Sequence, residues 1–204
     1  CPLADAFLAK LASRPGIIAL SQHVDYWNYL GWLDPFSSAN ATSRQNAYRE
    51  TLKTRFVYTP QMVVDGAHEA VGSEREAVHS LIEKAQRKEK LAIGVALSGG
   101  GMLRVSIPSG AKPETPATVW LVFYSSREMT TISAGENRGV VLTNANVVRS
   151  MRRVGSWNGP ALVVNVPVEE IEPPNAGGCA VLVQVGETGR IVGAVNVPYA
   201  HKPN

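Results

Sequence analysis

Apolar positions recur at helical spacing from the start of the chain. Leu3, Phe7, Leu8 and Leu11 fall on one face of a predicted helix over residues 2–13. Pro2 suits its first position, where no N–H is needed, and Pro15-Gly16 ends it. The apolar run IIALSQHV, residues 17–24, predicts a buried strand ending at His23 and Val24. The period then breaks over residues 25–36 (DYWNYLGWLDPF), which are dense in aromatic and turn residues. A second helix is predicted over residues 42–54, with Thr42 and Gln45 as a capping box. Gln61–Val64 and His68–Val71 read as two strands flanking Asp65-Gly66, a strong hairpin signal. Ser73 and Glu76 then cap a helix whose apolar face is Ala77, Val78, Leu81, Ile82 and Ala85.

The patterning changes near Lys90. Strand-like runs follow at about residues 91–97, 102–107, 118–124, 129–133, 162–166, 179–185 and 191–197, bounded by Gly, Pro and Ser. Their spacing predicts a small antiparallel β-sandwich. Gly99-Gly100-Gly101 reads as a hairpin connection and Gly186 to Gly189 as the last hairpin turn. Residues 147–157 fit either a strand or a short helix. Two domains are therefore expected, an α/β unit over residues 1–90 and a β-sandwich-like unit over 91–204.

Composition narrows the partners. The 204 residues are 45% hydrophobic and 18% charged, with a net charge of +3. That balance is only weakly basic, so no nucleic-acid partner is expected. Asn146, Arg149, Arg152 and Arg153 form a local basic group, which reads as a solvated stripe or an anion contact. No apolar run reaches the length of a membrane span. The chain starts at a cysteine with no initiator Met, and a mature or trimmed product from which a targeting segment was removed is expected. Two cysteines, Cys1 and Cys179, are too few for a disulfide framework or a four-thiolate metal site. No cofactor is expected.

Candidate chemistry gathers in the first half. Cys1 precedes Pro2 at a helix start, where the helix dipole and unpaired N–H groups favour the reactive thiolate. It reads as a redox thiol, a half-buried structural thiol or a lipidated first residue. Thr59-Pro60 precedes a strand. A cis bond there would present the backbone of Thr59 to an extended substrate segment, whereas a trans proline would simply start the strand. His23 and Asp25 lie at the end of the predicted parallel strand on one side, placed to tune a thiol or pass a proton, or to satisfy a carbonyl and cap a turn. Two such ligands do not make a metal site, and His68, His79 and His201 belong to other elements. Tyr26, Trp27, Tyr29, Trp32 and Phe36 would line a peptide groove or pack their own loop. Cys179 reads as a structural strand residue.

The order Thr59-Pro60, strand, tight turn, strand, helix resembles the second half of a thioredoxin fold, and Cys1-Pro2 resembles the end of a Cys-x-x-Cys-Pro redox helix. Cys1-Pro2-Leu3-Ala4-Asp5, His23-Val24-Asp25-Tyr26-Trp27, Leu30-Gly31-Trp32, Asp34-Pro35-Phe36 and Tyr58-Thr59-Pro60-Gln61 together resemble a bacterial family of secreted or periplasmic thioredoxin-like proteins, domain of unknown function 1223. Gly135-Glu136-Asn137 and Asn146-Val147-Val148-Arg149 extend the likeness into the second half. The resemblance implies an α/β thioredoxin-like domain whose first strand and first cysteine lie ahead of Cys1. It implies a cell-envelope compartment and brings no established activity; with the redox-helix reading of Cys1-Pro2, the expected function is a thiol–disulfide oxidoreductase or redox-linked chaperone acting on protein or peptide thiols and disulfides. Cys1 would resolve the mixed disulfide, Pro60 would stand with it in the catalytic site to hold substrate, and Thr59, His23, Asp25, Tyr26, Trp27 and Trp32 would meet substrate. Residues 1–204 alone, holding one cysteine of the pair, are expected to be inactive as a dithiol oxidoreductase. The alternative is a non-catalytic protein- or peptide-binding module.

Overall fold

The computed structural model describes residues 1–98, 101–133 and 138–198. Gly99 and Gly100 of the expected hairpin connection, the Gly135-Glu136-Asn137 motif and His201 lie outside the described residues.

Helix α1 (Pro2–Ala12) buries Ala4, Phe7 and Leu11 on the face predicted from their spacing. Helix α2 (Ala39–Leu52) starts at Ser38, whose Oγ accepts the Ala41 N–H at 3.2 Å. The expected box of Thr42 and Gln45 does not form, because the Thr42 hydroxyl is bonded to Asp25 instead. Strands β1 (Gln61–Val64) and β2 (His68–Val71) pair antiparallel around Asp65 and Gly66, both at positive φ, 54° and 64°. That is the backbone a type I′ hairpin demands. Helix α3 (Arg75–Gln86) buries Val78 and Ile82 but has Glu74, not Ser73, at its N-cap and no side-chain cap bond.

The α/β thioredoxin-like domain expected over residues 1–90 is overturned. The described residues are mostly β, with antiparallel sheets and three helices of eleven residues or more among them. β1 and β2 form a separate two-stranded sheet, and residues 17–24 form no strand. Their sheet-like contacts are isolated bridges, Ser21 with Val147 and His23 with Ser37. The apolar character of the run is used in another way. Ile17 and Ala19 pack among Phe7, Leu11, Val78 and Ile82, while the Ser21 N–H donates to Asn146 O at 2.9 Å and Ser21 O accepts from Val148 N–H at 2.8 Å. Apolarity encodes burial, and a strand additionally needs a ladder partner.

The remaining strands build two antiparallel sheets. One has the order β3 (Gly94–Ser98), β4 (Met102–Ile107), β7 (Leu162–Pro167). The other has the order β6 (Val141–Trp157), β5 (Ala117–Thr131), β8 (Gly178–Val185), β9 (Ile191–Pro198). The two expected strands at 118–124 and 129–133 are one long strand, β5, and residues 147–157 belong to β6 rather than a helix. A single helical turn, α4 (Val168–Ile171), follows β7. Leu103, Val105 and Ile107 of β4 meet Val119, Leu121 and Phe123 of β5 and Val181 and Val183 of β8 in one core. Alternate residues of each strand supply it, as the pleat requires. Cys179 is 1% exposed within this core, in register with Phe123 and Val197.

Helix α2 and the β1–β2 turn dock on the second sheet. Arg44 Nη2 donates to Gln184 Oε1 at 2.6 Å, and Gln184 Nε2 donates to Tyr48 Oη at 2.9 Å. The Ile191 N–H donates to Asp65 O at 2.7 Å, and Lys90 pairs with the Asp65 carboxylate. Gly66 is required here twice over. Its φ is positive, and a Cβ would stand 2.1 Å from Gly189 O. Among the described residues no helix is long and apolar enough to cross a membrane.

Candidate functional site

Cys1 is the N-cap of α1 and is exposed. Its carbonyl accepts the N–H groups of Ala4 and Asp5, both at 3.0 Å, which starts the helix. The first turn of α1 lies against Pro60 through a glycine. A Cβ at Gly72 would meet Pro60 Cβ at 3.1 Å and Ala4 Cβ at 3.3 Å. The Thr59–Pro60 bond is cis, and Gly72 N–H donates to Pro60 O at 2.8 Å. The helix start, the proline and the strand that follows it are therefore neighbours.

The loop over residues 25–37 is fastened to the same place. Trp27 Nε1 donates to Thr59 Oγ1 at 3.0 Å. Tyr26 Oη donates to Gln45 Oε1 at 2.9 Å, and Gln45 Nε2 donates to Tyr58 O at 2.8 Å and Gln61 Oε1 at 3.0 Å. Gln45 thus clamps the residues on both sides of Thr59-Pro60 to α2. Burial pushes the Tyr26 phenol up, and its bond to Gln45 offsets that only in part. Tyr58 Oη donates to Glu69 Oε2, and Gln61 Nε2 approaches the same oxygen at 3.4 Å. Burial also pushes the Glu69 carboxyl up.

His23 and Asp25 are bonded to different partners. His23 Nδ1 is bonded to Asp34 Oδ2 at 2.6 Å, and its ring meets Phe36 edge-on at 5.6 Å. Asp25 Oδ1 accepts from the Thr42 hydroxyl at 2.5 Å. Both groups therefore hold the loop to its surroundings. Asp34 also accepts the Phe36 N–H at 2.9 Å through Oδ1. Its burial works to raise its pKa, but the His23 bond and charge and the Phe36 N–H outweigh that and lower it.

Trp32 is half-buried, and no hydrogen bond or ring contact ties it to the other candidates. Trp27 and Tyr29 stack at 6.5 Å, and the loop leaves Trp27 46%, Tyr29 76% and Leu33 73% exposed. The basic group on β6 is dispersed. Asn146 Nδ2 donates to Ala19 O at 2.8 Å, and Arg149 lies over Phe36 at 5.3 Å and 3.9 Å from Glu128. Among the described residues no three His, Cys, Asp or Glu side chains gather as a metal site.

Sequence reasoning missed Gln45, Tyr58, Glu69 and Asp34. In the sequence Gln45 reads as part of a helix cap, and Asp34 and Tyr58 stand only within motifs of the family resemblance. Tyr58 and Gln61 flank the Thr59-Pro60 signal and would have been found by asking what holds it.

A crystallised protein of Agrobacterium tumefaciens is similar in structure, with a TM-score of 0.86 and 27% identity over 100% of this chain and 90% of that one. No curated protein matches the chain. Residues 1–184 match the family described as protein of unknown function (DUF1223), and the chain belongs to that family.

Proposed function

We propose that the protein exchanges thiols and disulfides with protein or peptide substrates, at a surface made by the start of α1, Thr59-Pro60 and the loop over residues 25–37. The observation that carries this reading is the exposed Cys1 at the N-cap of α1, a helix whose first turn packs near Pro60 through Ala4 and Gly72. The family resemblance supplies a second cysteine three positions ahead of Cys1. That thiolate attacks a substrate disulfide, forms a mixed disulfide and releases the first substrate sulfur as a thiol. Cys1 then attacks the protein sulfur of the mixed disulfide and releases the second substrate sulfur. The substrate gains two electrons, and the two protein cysteines end as a disulfide. The periplasm or the cell exterior is the compartment that fits this chemistry.

The exposed side chains of Trp27, Tyr29 and Leu33 favour a second reading, a peptide-binding surface without catalysis.

The test is reduction of a model protein disulfide by a chain carrying Cys-x-x ahead of Cys1, by residues 1–204 alone, and by the extended chain with Cys1→Ser. Starting from its reduced dithiol, the extended chain should reduce up to one disulfide per molecule, residues 1–204 should not, and Cys1→Ser should accumulate the mixed disulfide. An extended chain that forms no mixed disulfide, yet binds cysteine-free peptides, would replace the first reading with the second.

A further inference from the structure

Beside Tyr58 a groove of about 490 Å3 runs between β2 and α3. Tyr58, Val71, Ala77 and Leu81 give it apolar walls, and Glu69 and Glu74 line it as well. Glu69 is half-buried, with Tyr58 Oη and Gln61 Nε2 as its hydrogen-bond donors. Both donors are neutral. Among the described residues no Lys, Arg or His forms an ion pair with Glu69 or Glu74. A carboxylate drawn out of water gains most from a cation that comes with its own hydrogen-bond donors. The groove also borders the residues already described. Tyr58 precedes Thr59-Pro60, and Val71 precedes Gly72, the residue against which Pro60 and Ala4 pack.

We infer that this groove is a substrate subsite for an extended polypeptide segment carrying a lysine or arginine, whose aliphatic stem lies on Val71, Ala77 and Leu81 and whose charged end meets Glu69 and Glu74. The walls are short apolar side chains, which suit the methylene stem of such a residue. The inference rests on the proposed function for the word substrate, but binding at the groove requires no thiol.

Binding is therefore measured with cysteine-free peptides and with protein carrying Cys1→Ser. A labelled hexapeptide with one lysine among valines and alanines is compared with the same peptide holding norleucine or glutamate in its place. The lysine peptide should bind at least tenfold tighter than the norleucine peptide, and the glutamate peptide should bind weakest. Glu69→Gln and Glu74→Gln should each cut the lysine preference several-fold. Ser80→Trp, at an exposed position on the groove, should block all three peptides while leaving the circular dichroism spectrum unchanged. Equal binding of the lysine and norleucine peptides, binding untouched by Ser80→Trp, or no binding of any peptide would overturn the subsite. The exchange reaction of the extended chain on an uncharged disulfide would survive each of those results.

Discussion

Trp27 reaches across from the aromatic loop and donates its indole N–H to the hydroxyl of Thr59, at 3.0 Å. The bond ties an exposed side chain to the residue before the cis proline, so loop position and the backbone at Thr59 are coupled. A double-mutant cycle with Trp27→Phe and Thr59→Val should give a coupling of about 1 kcal/mol or less, the ordinary worth of one neutral bond near water. Amide exchange over residues 25–37 should quicken in Thr59→Val. Additive free energies and unchanged exchange would mean that the loop is held by its other bonds, those of Gln45, Asp34 and Thr42, without Thr59.

Gly72 sets how closely α1 approaches Pro60. An added methyl group would meet Pro60 Cβ at 3.1 Å, Ala4 Cβ at 3.3 Å and Met62 Cγ at 3.5 Å. The first two atoms are fixed to backbone and a ring, so they cannot swing aside. Gly72→Ala should destabilise the fold by about 1–3 kcal/mol through overpacking. It should also slow mixed-disulfide formation in the extended chain beyond what its stability loss explains. Chemical denaturation and trapping rates measured on one preparation check both. A variant as stable as the parent would show that the contact relaxes freely.

Local signals in the sequence carried the elements whose chemistry is local. Asp65-Gly66 specified a hairpin because its backbone requirement is met by two adjacent residues, and the apolar face of α1 followed from spacing alone. Residues 17–24 failed as a strand because their partner is not encoded in the run. Ser21 bridges to Val147, over a hundred positions away, and the two neighbouring carbonyls of the run, at Ala19 and Ser21, are bonded by Asn146 and Val148. The same limit hid Glu69 and Asp34. Each acquires its role from a tertiary partner, Tyr58 or His23, that no motif links to it. Thr42, the expected cap of α2, lies inside the helix with its hydroxyl bonded to Asp25, and Ser38 caps the helix instead.

Two carboxyls should move stability with pH in opposite directions. Asp34 binds its proton more weakly folded than unfolded, because its bonds to His23 and the Phe36 N–H outweigh its burial. Its contribution is present above the unfolded value of 3.8 and is lost as pH falls through the lower folded value. Glu69 binds its proton more tightly folded, because of burial. Its contribution is present below the unfolded value of 4.5 and is lost as pH rises through the higher folded value. Asp34→Asn should therefore flatten the acid end of the stability profile, and Glu69→Gln should raise stability at neutral pH relative to the parent. Urea midpoints across pH 3 to 7, a range set by these carboxylates, decide it. An acid limb equally steep in Asp34→Asn would exclude the His23 pair as its source.

Gln184 has no exposed surface and stands between α2 and the turn after β8. Its Oε1 accepts from Arg44, and its Nε2 donates to Tyr48 Oη at 2.9 Å and Gly189 O at 2.8 Å. Arg44 also donates to Glu187 O at 3.0 Å and lies over Trp120 at 5.4 Å, so the guanidinium is committed to this junction. Gln184→Leu keeps the volume and strips a partner from Arg44, Tyr48 and Gly189 at once. The cost is that of a half-buried guanidinium and two polar groups each losing a bond, about 1–3 kcal/mol. Gln184→Glu keeps an acceptor for Arg44 and offers Tyr48 an acceptor for its hydroxyl, so it should cost less than the leucine. The readout that separates docking from global stability is amide exchange. In Gln184→Leu, protection along α2 should fall further than protection in β5, because α2 loses its attachment to the sheet while the sandwich core is unchanged. Equal losses in α2 and β5 would show that helix and sheet open as one unit, with Gln184 adding only to their common stability.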